Sequence, residues 1–144
     1  MSAMTETSKP LVLCVDDESN ILKALQRLFI HQGVQLLLAD SGAKALELMQ
    51  QHRVNLIISD MRMPGMSGAE FLAQAEQLQP DAYRILMSGY SDVASTASAK
   101  NLGKIHHYIQ KPWDNQQLLA AVADGLAQCS SGTPKQATYS ENRE

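Results

Sequence analysis

The segment Leu11-Val-Leu-Cys-Val-Asp-Asp-Glu18 joins a short apolar run to three consecutive acidic residues. An apolar run of this length without polar alternation is typical of a central parallel strand that is covered on both faces. The acidic residues follow at the carboxyl end of the predicted strand, where an ordinary solvent-facing loop would not require them. The segment therefore predicts a buried parallel strand that leads directly into a charged site.

From this segment onward, strand-like and helix-like patterns alternate along the chain. Short apolar or β-branched runs predict strands over residues 11–15, 34–39, 54–59, 82–87 and 105–109. Apolar residues at helical spacing predict helices over residues 18–31, 42–52, 68–78, 92–101 and 114–128. Strict alternation indicates βαβ units, so we expect an α/β fold with a parallel sheet and right-handed crossovers.

Polar side chains also follow three other predicted strands at their carboxyl ends. Asp60 follows the third predicted strand, Ser88 the fourth and Lys111 the fifth. In open parallel sheets, ligands bind beyond the carboxyl ends of the strands, at the point where the strand order reverses. We therefore expect these residues to meet Asp16 and Asp17 at one edge of the sheet.

Three carboxylates and one lysine are suited to a divalent cation and a phosphoryl group. Carboxylates at close quarters repel one another and lose hydration unless a cation compensates. Mg²⁺ prefers oxygen ligands, and an ionised carboxylate can attack phosphorus to give an acyl phosphate. Lys111 and the metal would neutralise charge on the transferred group, and Ser88 would offer it a hydroxyl donor. The set predicts a Mg²⁺-assisted phosphoryl-transfer site.

Composition limits the classes of function. The chain has 144 residues, 44% of them hydrophobic and 19% charged, which is ordinary for one soluble globular domain. A net charge of −3 with scattered basic residues argues against direct nucleic-acid binding. The sequence has no run of about 18 apolar residues and no apolar signal core. We therefore expect a cytoplasmic protein without a membrane segment.

The two ends of the chain differ from its middle. Residues 1–9 are polar and precede Pro10, so we expect a disordered lead-in. Residues 130–144 are hydrophilic and can bury too little apolar surface to offset the entropy of ordering, so we expect a tail or a truncated linker. The folded domain is expected to span residues 10–129.

Four segments together resemble the receiver domains of two-component response regulators. They are Leu11-Val-Leu-Cys-Val-Asp-Asp-Glu18, Ile58-Ser-Asp-Met-Arg-Met-Pro-Gly-Met-Ser-Gly68, Met87-Ser-Gly89 and Tyr108-Ile-Gln-Lys-Pro112. The resemblance covers about residues 10–128, nearly all of the predicted folded part. It implies a flavodoxin-like (βα)5 three-layer sandwich with a five-stranded parallel sheet in the order 2-1-3-4-5.

The resemblance implies roles for the acidic residues. Asp60 resembles the phospho-acceptor, which takes a phosphoryl group from a phosphohistidine or from a small-molecule phosphodonor. Asp17 resembles the direct Mg²⁺ ligand, and Asp16 the carboxylate that often acts through water. Asp60 itself and the backbone carbonyl of Arg62 would complete the metal site.

Three further positions have roles that the resemblance implies. Ser88 resembles the switch hydroxyl, Lys111 the lysine that pairs with the phosphoryl group, and Tyr108 the switch aromatic. In the family, phosphorylation draws the hydroxyl residue inward, and the aromatic side chain turns into the vacated space. The bond between Lys111 and Pro112 matches the position of the family's usual cis peptide, which proline permits.

The resemblance also implies partners. A sensor histidine kinase or a phosphotransfer protein would supply the phosphoryl group, and an output domain in cis or a docking protein would respond. The surface involved, here called the switch face, comprises the predicted helix over 92–101, the strand over 105–109 and the last helix, and it could also mediate a homodimer. The domain would catalyse only its own phosphorylation and dephosphorylation. Ser88-Gly-Tyr90 and Lys111-Pro-Trp-Asp114 look like receivers that precede HD-GYP-type output domains.

Two positions govern dephosphorylation in the family, and both are bulky in this chain. They lie two residues after the acceptor and two after the switch hydroxyl, where this chain has Arg62 and Tyr90. We expect these side chains to shield the acyl phosphate from water and to slow its hydrolysis.

Three other functions remain open at this point. A Mg²⁺-dependent aspartyl-phosphate phosphatase of the haloacid dehalogenase type would need an Asp-x-Asp strand end and room for a substrate cap. A flavin or nucleotide binder would need a Gly-rich or Ser/Thr-rich phosphate loop after the first strand, where this chain has Asp16, Asp17 and Glu18. A third reading keeps the fold as an interaction module that is never phosphorylated.

Overall fold

The computed structural model describes residues 9–89 and 105–131 of the chain. Five strands, all paired in parallel, form one sheet in the order β2-β1-β3-β4-β5, as the resemblance implied. Their bounds are β1 Leu11–Val15, β2 Gln35–Ala39, β3 Leu56–Asp60, β4 Tyr83–Ser88 and β5 His107–Gln110.

The described part of the chain contains four helices. Their bounds are α1 Ser19–Phe29, α2 Gly42–Gln51, α3 Gly68–Leu78 and α4 Asn115–Ser131. The predicted helix over 92–101 lies outside the described residues, as do Tyr90 and most of the two terminal segments. None of the described helices combines the length and apolarity that crossing a bilayer requires.

Side chains before three helices satisfy backbone N–H groups that would otherwise lack a partner. Ser41 Oγ accepts a hydrogen bond from Lys44 N, and Asp114 Oδ1 accepts one from Gln116 N. Before α3, Ser67 and Glu70 form a reciprocal capping box. These caps define where the three helices begin. The sequence pattern predicted the caps at Ser41 and Asp114.

Both faces of the sheet are buried, which makes the domain a three-layer sandwich. Leu13 and Val15 of β1 face a first core cluster that includes side chains of α2 and α3. Val12 and Cys14 of the same strand face a second cluster that includes side chains of α1 and α4. This arrangement explains the uninterrupted apolar run of β1, because successive side chains of the strand point to opposite faces and both faces are buried.

Some predicted bounds are wrong by one to three residues. Strand β3 includes Asp60, because Asp60 pairs with Met87 in the ladder between β3 and β4. Helix α1 ends at Phe29, and Gln32 N closes a turn onto Phe29 O. Helix α4 continues to Ser131, three residues past the predicted end of the last helix, since residues 129–131 include no helix-breaking residue.

Candidate functional site

Three acidic side chains converge at the carboxyl edge of the sheet. Asp16 and Asp17 follow β1, and Asp60 is the last residue of the adjacent β3. One carboxylate oxygen from each of the three lies within 4.8 Å of the others, a spacing that could hold one metal ion. Parallel pairing of β1 with β3 brings together residues that are more than 40 positions apart in the chain.

Lys111 follows β5, the strand at one end of the sheet order, and its side chain reaches this acidic cluster. Its Nζ donates to Asp60 Oδ1 at 2.9 Å and lies 3.4 Å from Asp16 Oδ2. Its backbone N donates to the carbonyl oxygen of Ser88 at 2.8 Å, which fixes the residue at the end of β4. The peptide bond from Lys111 to Pro112 is cis, as the resemblance implied.

The two aspartates after β1 differ in their surroundings. Asp16 is fully buried, and its Oδ1 accepts a hydrogen bond from Glu18 N at 2.9 Å. Asp17 is exposed to solvent at the mouth of the cluster. The buried carboxylate is therefore held in place by the protein, while its neighbour faces the water from which a hydrated cation would arrive.

Burial makes negative charge unfavourable in this cluster. Burial raises the pKa of Asp16 to about 6, and the nearby charge of Asp60 contributes to the increase against the effects of Glu18 N–H and Lys111. Burial also raises the pKa of Asp60, although its hydrogen bond to Lys111 opposes the increase. One lysine thus compensates three carboxylates only in part, and hard oxygen ligands with excess negative charge fit a divalent cation.

The lysine itself is held in its charged form. Burial alone would lower the pKa of Lys111, but its hydrogen bond to Asp60 and the charges of both buried aspartates outweigh burial and raise it. The ammonium group beside Asp60 would therefore stabilise the negative charge of a transferred group.

Ser88 and Tyr108 lie on one face of the sheet, next to this edge. Ser88 ends β4 and is half-buried, and Leu86 two residues before it pairs in register with Tyr108 of β5. Leu86 is part of the first core cluster, and Tyr108 packs against it. The two predicted switch residues therefore lie at diagonal positions on adjacent strands β4 and β5. Arg62 is exposed in the loop after Asp60.

Two residues beside Asp60 were missed by the sequence analysis. Ser59 is fully buried, and its hydroxyl donates to the backbone carbonyl oxygen of Asp60 at 3.0 Å. Gly68 packs against the same carbonyl so closely that a Cβ atom there would overlap the oxygen. The signal that could have identified Ser59 is a serine within the apolar run of β3. The sequence pattern indicated only a turn at Gly68.

Comparisons with known proteins agree with this geometry. The family described as "Response regulator receiver domain" matches residues 12–123. The chain is 34% identical over 115 residues to the hydrogenase transcriptional regulatory protein HoxA of Bradyrhizobium diazoefficiens, covering 80% of this chain and 24% of HoxA. It is 32% identical over 111 residues to sporulation initiation phosphotransferase F of Bacillus subtilis, covering 77% of this chain and 89% of that protein.

A solved structure gives the same result. The chain superimposes with a TM-score of 0.82 and 37% identity on the signal receiver domain of an HD domain-containing protein from Pseudomonas fluorescens Pf-5, covering 86% of this chain and 99% of that one. The chain spans about a quarter of the length of regulators such as HoxA. With the sheet order, the acidic cluster and Lys111 in place, the chain belongs to the receiver domain family of two-component response regulators, the domains that accept a phosphoryl signal.

Proposed function

We propose that Asp60 is the residue that accepts the phosphoryl group, from the phosphohistidine of a sensor histidine kinase or phosphotransfer protein or from a small phosphodonor. The observation that carries this proposal is the contact of 2.9 Å between Lys111 Nζ and Asp60 Oδ1 inside a cluster of three carboxylates. A lysine paired with a buried carboxylate offers a nucleophile and a countercharge at one point.

The chemistry is a displacement at phosphorus. A carboxylate oxygen of Asp60 attacks the phosphorus atom while the bond from phosphorus to the donor's imidazole nitrogen breaks, and the nitrogen keeps the electron pair. The product is an acyl phosphate on Asp60. Lys111 then contacts an oxygen of the transferred group in place of the carboxylate, and the hydroxyl of Ser88, which ends the neighbouring β4, donates to another.

The acidic cluster fits Mg²⁺, and three side chains and one carbonyl would hold it. Asp17, Asp60 and the backbone carbonyl of Arg62 would ligate the ion directly, and the buried Asp16 would act through water. When bound, the ion would neutralise charge on the transferred oxygens. The raised pKa values of Asp16 and Asp60 support the need for this additional positive charge.

The signal would leave the site through Ser88 and Tyr108. Their placement across β4 and β5 supports a coupled movement in which the Ser88 hydroxyl moves toward the phosphoryl group and Tyr108 turns inward. The switch face would then be remodelled for an output domain in cis, a docking protein or a second copy of the chain. The similarity to the Pseudomonas fluorescens receiver supports an output domain of the HD type.

Further proposals concern the whole protein. We propose that residues 10–129 form the receiver, that it modifies no external substrate, that it does not bind nucleic acid, and that it acts in the cytoplasm. The net charge of −3 supports the absence of a nucleic-acid partner.

Incubation with acetyl phosphate and Mg²⁺, followed by intact-mass measurement, tests the proposed acceptor. Wild-type protein should gain one phosphoryl group, and Asp60→Asn should gain none because the amide cannot form an acyl phosphate. Asp40→Asn is the matched control, because Asp40 follows β2 at the same edge of the sheet but is not part of the acidic cluster. It should be modified like the wild type.

Three results would contradict the proposal, and the first two of them would favour an alternative function. Repeated turnover of an external phosphate ester would indicate the phosphatase. A protein that stays unmodified with every phosphodonor, in the presence of Mg²⁺, would indicate the interaction module. Modification of Asp60→Asn at the wild-type level would show that another residue is the acceptor.

Replacement of Arg62 is expected to shorten the lifetime of the phosphorylated domain. Arg62 is exposed two residues beyond Asp60, where its long side chain can cover the acyl phosphate. We expect Arg62→Asn to lose the phosphoryl group about 3- to 10-fold faster, a change in barrier of about 1 kcal/mol. Decay after removal of the donor measures this, with Tyr90→Ala as a second variant. Decay at the wild-type rate in both would show that neither side chain limits access of water.

A further inference from the structure

The side chain of Ser59 is a buried hydroxyl in apolar surroundings. In the sheet, Ser59 lies between Val15 of β1 and Leu86 of β4, which are both fully buried in the first core cluster. Ser59 itself is 0% exposed. A hydroxyl in such a place is unfavourable unless it is hydrogen-bonded, and valine would suit the strand better. The hydroxyl is therefore expected to have a use that packing does not supply.

The acceptor of this hydroxyl is the backbone of the phospho-acceptor itself. Ser59 Oγ donates to the carbonyl oxygen of Asp60 at 3.0 Å. That carbonyl belongs to the same peptide group as the N–H of Met61, which donates to the carbonyl oxygen of Met87 at 2.9 Å. The peptide group between Asp60 and Met61 is thus anchored at both ends, by a side chain on one side and by β4 on the other.

The same peptide group is joined to the reactive carboxylate through the Cα of Asp60. A shift of the peptide group would therefore change the position of the side chain whose Oδ1 accepts a hydrogen bond from Lys111 Nζ at 2.9 Å. Gly68 limits that shift further, because its Cα lies against the Asp60 carbonyl and its N donates to the carbonyl oxygen of Met61 at 2.8 Å.

We propose that Ser59 is a positioning residue for phosphoryl transfer, whose hydroxyl fixes the peptide group between Asp60 and Met61 and thereby orients the Asp60 carboxylate. The proposal rests on the proposed function of Asp60 as the acceptor. Ser59 does not contact the phosphodonor, since its side chain is fully buried. Its effect must therefore appear in the rate of transfer and not in the binding of the donor.

The test compares Ser59→Val with Ser59→Thr. The two side chains have nearly the same shape, so any strain from the extra methyl group is common to both, and only threonine keeps the hydroxyl. Rates of phosphorylation by acetyl phosphate at saturating Mg²⁺ give a maximal rate and a half-saturating donor concentration. We expect the maximal rate of Ser59→Val to be about 5- to 10-fold below that of Ser59→Thr, with equal half-saturation, as for one lost hydrogen bond.

A second measurement is independent of phosphorylation. Hydrogen exchange of the Met61 amide, followed by NMR in unphosphorylated protein, should be about 10-fold faster in Ser59→Val than in Ser59→Thr, because the peptide group has lost an anchor. Equal exchange in the two variants overturns the proposal. Different exchange with equal maximal rates also overturns it, because Ser59 would then be structural only. A wild-type protein that takes no phosphoryl group contradicts the proposed function instead, and the role of Ser59 in transfer falls with it.

Discussion

Replacement of Gly68 by alanine should destabilise the domain by about 3 kcal/mol, the upper range for a forced overlap in a packed interior. A Cβ at this position would overlap the carbonyl oxygen of Asp60 and would lie 2.9 Å from its carbonyl carbon and 3.0 Å from Leu86 Cδ1. The carbonyl cannot move away easily, because Ser59 Oγ donates to it and β4 binds the adjacent N–H. The overlap must therefore displace either α3 or the phospho-acceptor.

Urea unfolding followed by the fluorescence of Trp113, the only tryptophan, measures this loss. Gly33→Ala is a suitable control, because Gly33 has a positive φ of 71° but no atom within 4 Å of a Cβ. It should lose only about 1 kcal/mol, the usual cost of the left-handed conformation for alanine. Equal losses in the two variants would contradict the predicted overlap, since Gly68 lies in α3 and has no positive φ that could make alanine costly there. The Gly68 variant should also be phosphorylated more slowly per folded molecule.

Replacement of Asp16 by asparagine should stabilise the domain in the absence of divalent cations. Burial raises the pKa of Asp16 from 3.8 to about 6, so the folded protein binds a proton more tightly than the unfolded chain. The stability that this proton contributes is fully present below about pH 4 and is lost as the pH rises through about 6. At about pH 7.5 the wild type carries the buried charge, and we expect Asp16→Asn to raise the free energy of unfolding by about 2 kcal/mol.

The measurement is the free energy of unfolding between about pH 5 and pH 8 with a chelator present. The wild type should lose stability as the pH rises across this range, whereas Asp16→Asn should vary much less. Asp40→Asn, which alters a carboxylate outside the acidic cluster, should keep the wild-type dependence. A less stable Asp16→Asn at about pH 7.5 would show that the contact with Lys111, 3.4 Å away, outweighs the cost of burial. Added Mg²⁺ should reduce the advantage of the variant, because the wild type binds the ion more tightly.

The order of elements and the composition of the edge site could be predicted because they depend on local patterns. An apolar run such as Leu11–Val15 predicts a strand covered on both faces, and residues that follow parallel strands lie at the same edge of the sheet. The ends of elements could not be predicted as well, because they depend on pairing partners. Asp60 belongs to β3 since it pairs with Met87, a contact 27 residues away.

The sequence by itself determined an alternating α/β domain and the set of Asp16, Asp17, Asp60, Ser88 and Lys111 at the strand ends, because periodicity and residue type are properties of short segments. Only the tertiary structure decided which of the two adjacent aspartates is buried, since adjacent residues differ in exposure according to the elements packed around them. It also decided that the Asp60 backbone is held from both sides. Ser59 and Gly68 acquire that role from contacts between β3, β4 and α3, which no local pattern encodes.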